Sequence, residues 1–204
     1  MTDLEKVTEY LKGGSKGPID LRNADLAGAI LSNANLKDAN LAFANLSHAY
    51  LKNANLDGAN LRHSNLSGAD LRDTSMVFAN LSCADLKKAN LDGANLKHSN
   101  LSDADLSNVK LSVTNLNTAN LSGSNLSGAD LDNASLYETN LSDANLYMAV
   151  LTHACLIGAN LKNADLTCAN LFGADLDKAD LTYTNFTEAN FTEEGLNDDW
   201  TDYQ

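Results

Sequence analysis

The sequence predicts an all-β coil with an apolar interior, and three features of a five-residue repeat lead to this fold class. Starting at Leu21, every fifth position through 191 is Leu, except Met76, Phe186 and Phe191. Two positions before each of these 35 residues stands a small side chain, which is Ala in 26 cases. The position between the two is Asn or Asp in 28 of the 35 repeats, and the two positions after Leu are variable and mostly polar.

A period of five fits neither a straight helix nor a straight strand. In an α-helix, a step of five rotates successive Leu side chains by about 140°, and in a strand it sends them to alternate sides. The chain must therefore turn once per repeat, with Leu and the small residue pointing inward and the Asn or Asp pointing outward. The two variable residues form the corner, for which Asn, Asp, Gly and Ser are suited. Burying each Leu contributes about 1.5–3 kcal/mol, so this column supplies most of the hydrophobic stabilisation.

Runs such as 34–38 (Ala-Asn-Leu-Lys-Asp) and 129–133 (Ala-Asp-Leu-Asp-Asn) resemble the A(D/N)LXX signature of the pentapeptide repeat family. The resemblance implies a right-handed quadrilateral parallel β-helix with one repeat per face and four per coil. Residues 20 apart then stack on one another. At about 4.8 Å per coil, residues 19–191 make about nine coils and a rod of about 42 Å.

Different segments are expected at the two ends of this coil. Residues 1–18 are interpreted as a capping helix and linker, in which Thr2 and Glu5 form a capping box and Leu4, Val7 and Leu11 share one side. We expect this helix to lie across the open end of the first coil, because exposed backbone edges invite association.

Residues 192–204 are interpreted as an acidic C-terminal cap. Leu196, Trp200 and Tyr203 lie four and then three residues apart, which is one face of a short helical lid.

The formal net charge of −13 is unevenly distributed along the chain. Residues 19–110 carry ten acidic and nine basic side chains, whereas residues 111–191 carry nine acidic and two basic ones. No apolar run is long enough for a membrane span, and the start lacks signal-peptide features, so we expect a cytoplasmic protein without membrane contact. The resemblance favours a bacterial source. Three cysteines form no disulfide framework and are expected to be free thiols.

Catalytic and cofactor chemistry is not expected. The four histidines occupy the second position after Leu, and in the 20-residue register each lies on a different face; they are His48, His63, His98 and His153. They therefore form no metal site or catalytic pair. The flat faces of a regular coil offer no cleft, so we expect no enzyme activity, no cofactor and no metal. Basic residues alternate with acidic ones and form no stripe, so direct nucleic-acid binding is not expected either.

Departures from the repeat indicate where function lies. Apolar outward residues are densest in one coil and its neighbours, and this apolar cluster consists of Tyr137, Tyr147, Met148, Val150, Cys155, Ile157 and Phe172. Contiguous exposed apolar surface often marks an interaction site. The alternative is that these side chains only pack on their column neighbours. Our first hypothesis is a non-enzymatic scaffold for an unidentified protein partner, as a monomer or a weak end-to-end dimer.

The second hypothesis comes from the resemblance, because some family members mimic DNA and bind DNA gyrase, protecting it from quinolones. Residues 111–191 carry a net charge of −7. Over about 19 Å this is one negative charge per about 2.7 Å, against one per about 1.7 Å in DNA. Only this half of the coil is charged densely enough to mimic a duplex. Against this hypothesis, gyrase-binding members often carry projecting loops and a substantial C-terminal dimerisation helix, whereas this sequence has an unbroken repeat and a short tail.

Overall fold

The computed structural model describes residues 2–13 and 17–191, and its main body is a stack of coils. Each outward residue forms a parallel bridge with the residue 20 positions further on, from the pair Asp20–Asn40 to the pair Asn170–Asn190. One coil therefore contains four repeats, which confirms the predicted register. The predicted short strands are reduced to single-residue bridges, and no longer strand occurs among the described residues. The right-handed sense of the coil stays a prediction.

In a repeat with the usual outward Asn or Asp, all five backbone N–H groups find acceptors, as the repeat 100–104 illustrates. Its first N–H donates to the coil before, over 2.9 Å, and its second and fourth donate to the coil after, over 2.7 and 3.0 Å. The fifth closes the corner by donating to the Leu101 carbonyl at 3.2 Å. The third, from Ser102, donates to the side-chain Oδ1 of Asn100 at 3.1 Å. The outward Asn or Asp is thus needed because it accepts the one N–H that no backbone carbonyl receives.

The interior is a continuous apolar core made by the Leu and Ala columns, and Leu residues from Leu36 to Leu166 are almost completely buried. Seven repeats place Ser or Thr at the inward small position, and each hydroxyl donates to a Leu carbonyl. No buried side-chain polar atom of the described chain lacks a partner. The core therefore tolerates these hydroxyls because their hydrogen bonds are satisfied.

Every corner has the same backbone conformation. The second residue after Leu has a positive φ at all 34 such positions from Asn23 to Glu188. Together with the hydrogen bond from the next N–H back to the Leu carbonyl, this geometry fits a type II turn. Gly, Asn, Asp and His dominate these positions because they tolerate the left-handed region better than other residues do.

The N-terminal helix α1 spans Asp3–Lys12, and the predicted capping box between Thr2 and Glu5 is present. The helix contacts the first coil through charged groups as well as Val7. The Lys6 ammonium donates to the Asp20 carbonyl, and the Asp3 carboxylate accepts the Asp25 N–H at 2.9 Å. The helix therefore supplies partners to the edge of the first coil.

The apolar side of α1 that the sequence indicated is only partly buried. Only Val7 is buried, whereas Leu4 and Leu11 are exposed. Tyr10 instead packs against the core and donates its hydroxyl to the Gly17 carbonyl at 3.0 Å. The buried face is narrower than the spacing of the three apolar residues indicated, because polar contacts to the coil edge orient the helix.

The predicted C-terminal cap lies outside the described residues. Within the described part of the chain, no helix is long and apolar enough to cross a membrane.

Candidate functional site

The apolar cluster lies on and around the coil that contains residues 147–157, with members in three successive repeats of that coil. Tyr137 lies in the coil before, on the column of Ile157, and Phe172 lies in the coil after. Four members are exposed by 42–55%, namely Tyr137, Tyr147, Met148 and Phe172. The other three, Val150, Cys155 and Ile157, are half-buried. The cluster thus has a half-buried centre and projecting aromatic and sulfur-containing side chains around it.

The backbone under the cluster contains an unusual connection between coils. Ser135 stands where most repeats have Asn or Asp, so the Tyr137 N–H lacks its usual acceptor. Asn117, in the coil before, accepts the Tyr137 N–H at 3.0 Å and the Ser135 hydroxyl at 2.6 Å. The Tyr137 N–H therefore keeps an acceptor, which the coil before supplies in place of its own repeat.

An acceptor from the coil before also serves two other repeats that lack the outward Asn or Asp, those with Ser75 and Lys110. Asp57 accepts the Val77 N–H at 2.9 Å, and Asp92 accepts the Ser112 N–H at 3.1 Å. Sequence reasoning missed these contacts. The signal that could have found them is an Asp or Asn at the first position after Leu, 20 residues before the N–H that needs an acceptor.

His153 lies beside the cluster and faces an acidic side chain. Its ring is 5.7 Å from that of Phe172 in an edge-on contact, and its Nδ1 is 3.8 Å from Asp132 Oδ1. The Thr152 hydroxyl also donates to Asp132 Oδ1. The pKa of Asp132 is lowered mainly by this hydroxyl and by the Asn133 amide, which keeps the carboxylate ionised.

Charges in the two halves of the coil are compensated differently. Four basic residues of the first half pair with neighbouring carboxylates: Arg22, Lys52, Arg72 and Lys87. In the described second half, only Lys178 does so, 3.4 Å from Asp177, apart from the His153 contact. The apolar cluster therefore lies in the part of the surface whose negative charge is least compensated.

Exposed apolar side chains outside the cluster correct the expectation of an otherwise polar rod. They are Ile30, Phe43, Tyr50, Phe78, Val113 and Tyr183. Two of them pack on histidines one coil away, because the rings of Phe43 and His63 stack at 4.9 Å and those of Phe78 and His98 at 4.8 Å. The first stack follows the predicted column, and the second was missed. These residues are spread over the whole length of the coil, whereas the cluster lies within three successive coils.

The residues with metal-binding or nucleophilic chemistry remain apart. Among the described residues, no three His, Cys, Asp or Glu side chains are grouped to hold a metal ion. The three cysteines are free thiols, as predicted. All four histidines occupy left-handed corners, with φ between 54° and 60°. The left-handed corner conformation is thus a structural reason why the four histidines occupy this position of the repeat.

The fold defines a repeat protein built of stacked five-residue units, four to a coil. The chain belongs to the pentapeptide repeat family. The family model for pentapeptide repeats matches eight copies, over residues 19–58, 39–76, 54–93, 79–117, 114–152 and 149–182.

Solved structures of pentapeptide repeat proteins resemble this chain over most of its length. HetL, a protein involved in heterocyst differentiation regulation from the cyanobacterium Nostoc sp. strain PCC 7120, is 35% identical with a TM-score of 0.59. That match covers 93% of this chain and 92% of HetL. Full-length QnrB1, a plasmid-mediated fluoroquinolone resistance protein, is 18% identical with a TM-score of 0.66, covering 87% of this chain and 93% of QnrB1. Among curated proteins, no sequence matches this chain.

Proposed function

We propose that this chain is a non-enzymatic scaffold that binds a protein partner through the apolar cluster. The observation that carries the proposal is the exposure of Tyr137, Tyr147, Met148 and Phe172 around a half-buried apolar centre within three successive coils. Aromatic and Met side chains of this kind are enriched where protein interfaces form. The right-handed, four-sided coil acts as a rigid support, and we propose a cytoplasmic, monomeric or weakly dimeric protein.

Two further observations support a role in binding. The outward Asn and Asp side chains are used to accept backbone N–H groups, so they serve the fold. HetL, which covers a similar length at 35% identity, is described by its involvement in regulation. A regulatory role of that kind fits a protein that contacts other macromolecules, and the exposed apolar cluster of this chain is a surface suited to such contact.

The test is affinity capture from the native lysate with the triple variant Y147S/M148S/I157S. We expect partner capture to be abolished while the circular dichroism spectrum is unchanged, because the three side chains point away from the core. The matched control is F43S/F78S/V113S, which removes three exposed apolar side chains outside the cluster. Capture that survives the cluster variant, or that is lost equally in the control, contradicts the proposal.

A second candidate function is DNA mimicry directed at DNA gyrase through the acidic half. The observation that favours it is the net charge of −7 in residues 111–191. Few carboxylates in this range are paired with basic side chains. At about one charge per 2.7 Å, this half approaches the density of DNA. QnrB1 shares the fold, and fluoroquinolone resistance is the property by which it is described.

A supercoiling assay with purified gyrase separates the two functions. Duplex mimicry predicts inhibition that weakens as the salt concentration rises, because the interaction is electrostatic. Absence of inhibition at micromolar protein ends this candidate and leaves the scaffold proposal standing.

A further inference from the structure

One side of the helix α1 carries apolar side chains that its own coil leaves uncovered. Leu4 and Leu11 are 46% and 38% exposed, and Thr8, which lies between them, is also exposed. The three residues are four and then three positions apart, so they share one side of the helix and form what we call the α1 seam. Val7, the one buried residue of α1, packs into the core instead. The N-terminal end of the rod therefore presents apolar surface to its surroundings.

The edge of the first coil is also only partly supplied with hydrogen-bond partners. The helix α1 serves the faces of Asp20 and Asp25. The N–H groups of Ile30 and Asn35, on the other two faces, donate to no group within the described residues. Ile30 is also 80% exposed. Unpaired backbone groups and apolar side chains at the edge of a sheet favour association with another chain.

The charges beside the α1 seam are complementary to themselves. Glu5 and Lys12 each follow a leucine of the seam by one position, so they lie on the same flank of it, and both are exposed. In an antiparallel pair of helices with its two-fold axis at Thr8, Leu4 of each copy meets Leu11 of the other. Glu5 of each copy then faces Lys12 of the other. Opposite charges that flank an apolar seam set the choice of partner and the orientation of a helix pair.

The distribution of charge along the rod favours a second copy at this end. Residues 1–18 carry three acidic and three basic side chains, whereas residues 111–191, toward the other end, carry a net charge of −7. Two chains joined by their N-terminal ends keep the acidic halves separated by about 40 Å of rod, which far exceeds the screening length of about 8 Å. Two copies can therefore meet at this end without repulsion between their acidic halves.

We infer that the chain pairs with a second copy end to end, with the two α1 helices antiparallel and their seams in contact. Two helices of 10 residues bury less than the roughly 1,200 Å² of a stable interface, so the pair is weak and forms at high protein concentration. This inference develops the weak dimer named in the proposed function, but it requires neither the apolar cluster nor a protein partner.

Sedimentation velocity of the full chain at about 1 to 500 μM tests the pairing, because this range covers the dimers that a small interface supports. The unchanged chain should pass from monomer to dimer as its concentration rises. L4Q/L11Q should raise the Kd of the dimer at least about tenfold, because Gln keeps the helix propensity but removes the apolar contact. The control V113Q/Y183Q changes two exposed apolar side chains far from α1 and should alter the Kd less than about twofold. A chain that stays monomeric over the whole range, a dimer unaffected by L4Q/L11Q, or equal losses in both variants would overturn the inference.

Two charge variants at the centre of the seam test the two-fold arrangement. The Thr8 hydroxyl bonds within its own helix, to the Leu4 carbonyl at 2.8 Å, and both Glu and Lys favour a helix more than Thr does. T8E and T8K each place like charges on the two-fold axis, so each alone should dimerise at least about tenfold more weakly than the parent. An equimolar mixture should regain the dimer, because opposite charges then meet. A mixture as monomeric as the separate variants would refute contact between the seams.

The two proposals can fail separately. A chain that stays monomeric refutes the end-to-end pairing even when Y147S/M148S/I157S abolishes capture from the lysate. Capture that survives the serine variant refutes the cluster as the binding surface, whether or not the chain dimerises.

Discussion

Residues 21–110 and residues 111–191 are built on the same interior and the same hydrogen-bond pattern, but they differ on the outside. The first half pairs its acids with four basic side chains, and its exposed Phe43 and Phe78 stack on histidines. The described second half pairs only Asp132, with His153, and Asp177, with Lys178, and it carries the apolar cluster. Because the supporting structure is the same, the difference in surface is the part of the molecule that is free to serve binding.

The largest expected effect tests whether the two interiors are equivalent. Leu86 and Leu146 occupy the same column, three coils apart, and both are completely buried. Replacing either by Ala removes packed methyl groups and leaves a cavity, so each variant should lose about 2–5 kcal/mol of unfolding free energy. Chemical denaturation measures the loss. A loss in one half that is several-fold smaller would show that the two interiors are not equivalent.

The next largest loss of stability is expected when the hydrogen-bond acceptor supplied from a neighbouring coil is removed. Asp57→Ala leaves the Val77 N–H and the Ser75 hydroxyl without the acceptor they share, at a cost of about 1–3 kcal/mol. Asp57→Asn keeps an Oδ1 and should cost much less.

Lys97→Ala, in the same column, is the matched control and should change the stability by less than about 0.5 kcal/mol. Equal destabilisation by Asp57→Ala and Lys97→Ala would refute the role of this acceptor.

A smaller effect is expected at the corners. Val113 is a β-branched residue with a φ of 58°, a conformation that costs about 1–2 kcal/mol for an ordinary L-residue and less for Asn. Val113→Asn should therefore raise the unfolding free energy by about 1 kcal/mol. Asn53→Val, in the same column of the first half with a φ of 59°, should lower it. Thermal denaturation of both variants checks the opposite signs, and a shared sign would contradict the explanation.

The smallest effect concerns how each half stabilises its carboxylates. The pKa of Asp70 is lowered from 3.8, first by its side-chain hydrogen bond from Arg72, whereas the Thr152 hydroxyl is the first cause for Asp132. A lowered carboxyl pKa stabilises the fold above pH 3.8, and the contribution is lost as the pH falls through the folded-state value. Arg72→Gln should raise the pKa of Asp70 and leave that of Asp132 unchanged. Carboxyl titration by NMR measures both, and an unchanged Asp70 pKa would contradict the stated cause.

Most of the fold could be predicted because a single pattern sets it. The Leu column, the small residue and the outward Asn or Asp each have one physical role, and the structure confirms the 20-residue register that the family resemblance implied. The left-handed corner could not be derived, because positions occupied by Phe43 or Val113 do not favour a positive φ. The exposure of Leu4 and Leu11 could not be predicted either. Periodicity shows that residues share a face of a helix, but it does not show what covers that face.

The candidate site could be predicted only in part from the sequence. Its members follow from the register, which placed Tyr137 and Ile157 on one column. Their exposure does not follow, since Val150 and Ile157 are half-buried while Met148 projects. The acceptor that Asn117 supplies to Tyr137 needs both the register and the backbone geometry, so it emerged only from the structure.

Hydroxyl-radical footprinting of the affinity-captured complex tests the central claim most directly. Oxidation-prone side chains are exposed in both halves, with Tyr137, Tyr147 and Met148 in the cluster and Phe43 and Phe78 outside it. If the second half carries the binding surface, the partner will protect the cluster residues and leave the two phenylalanines as reactive as in the free protein. Protection of Phe43 and Phe78 with continued oxidation of the cluster would contradict the account.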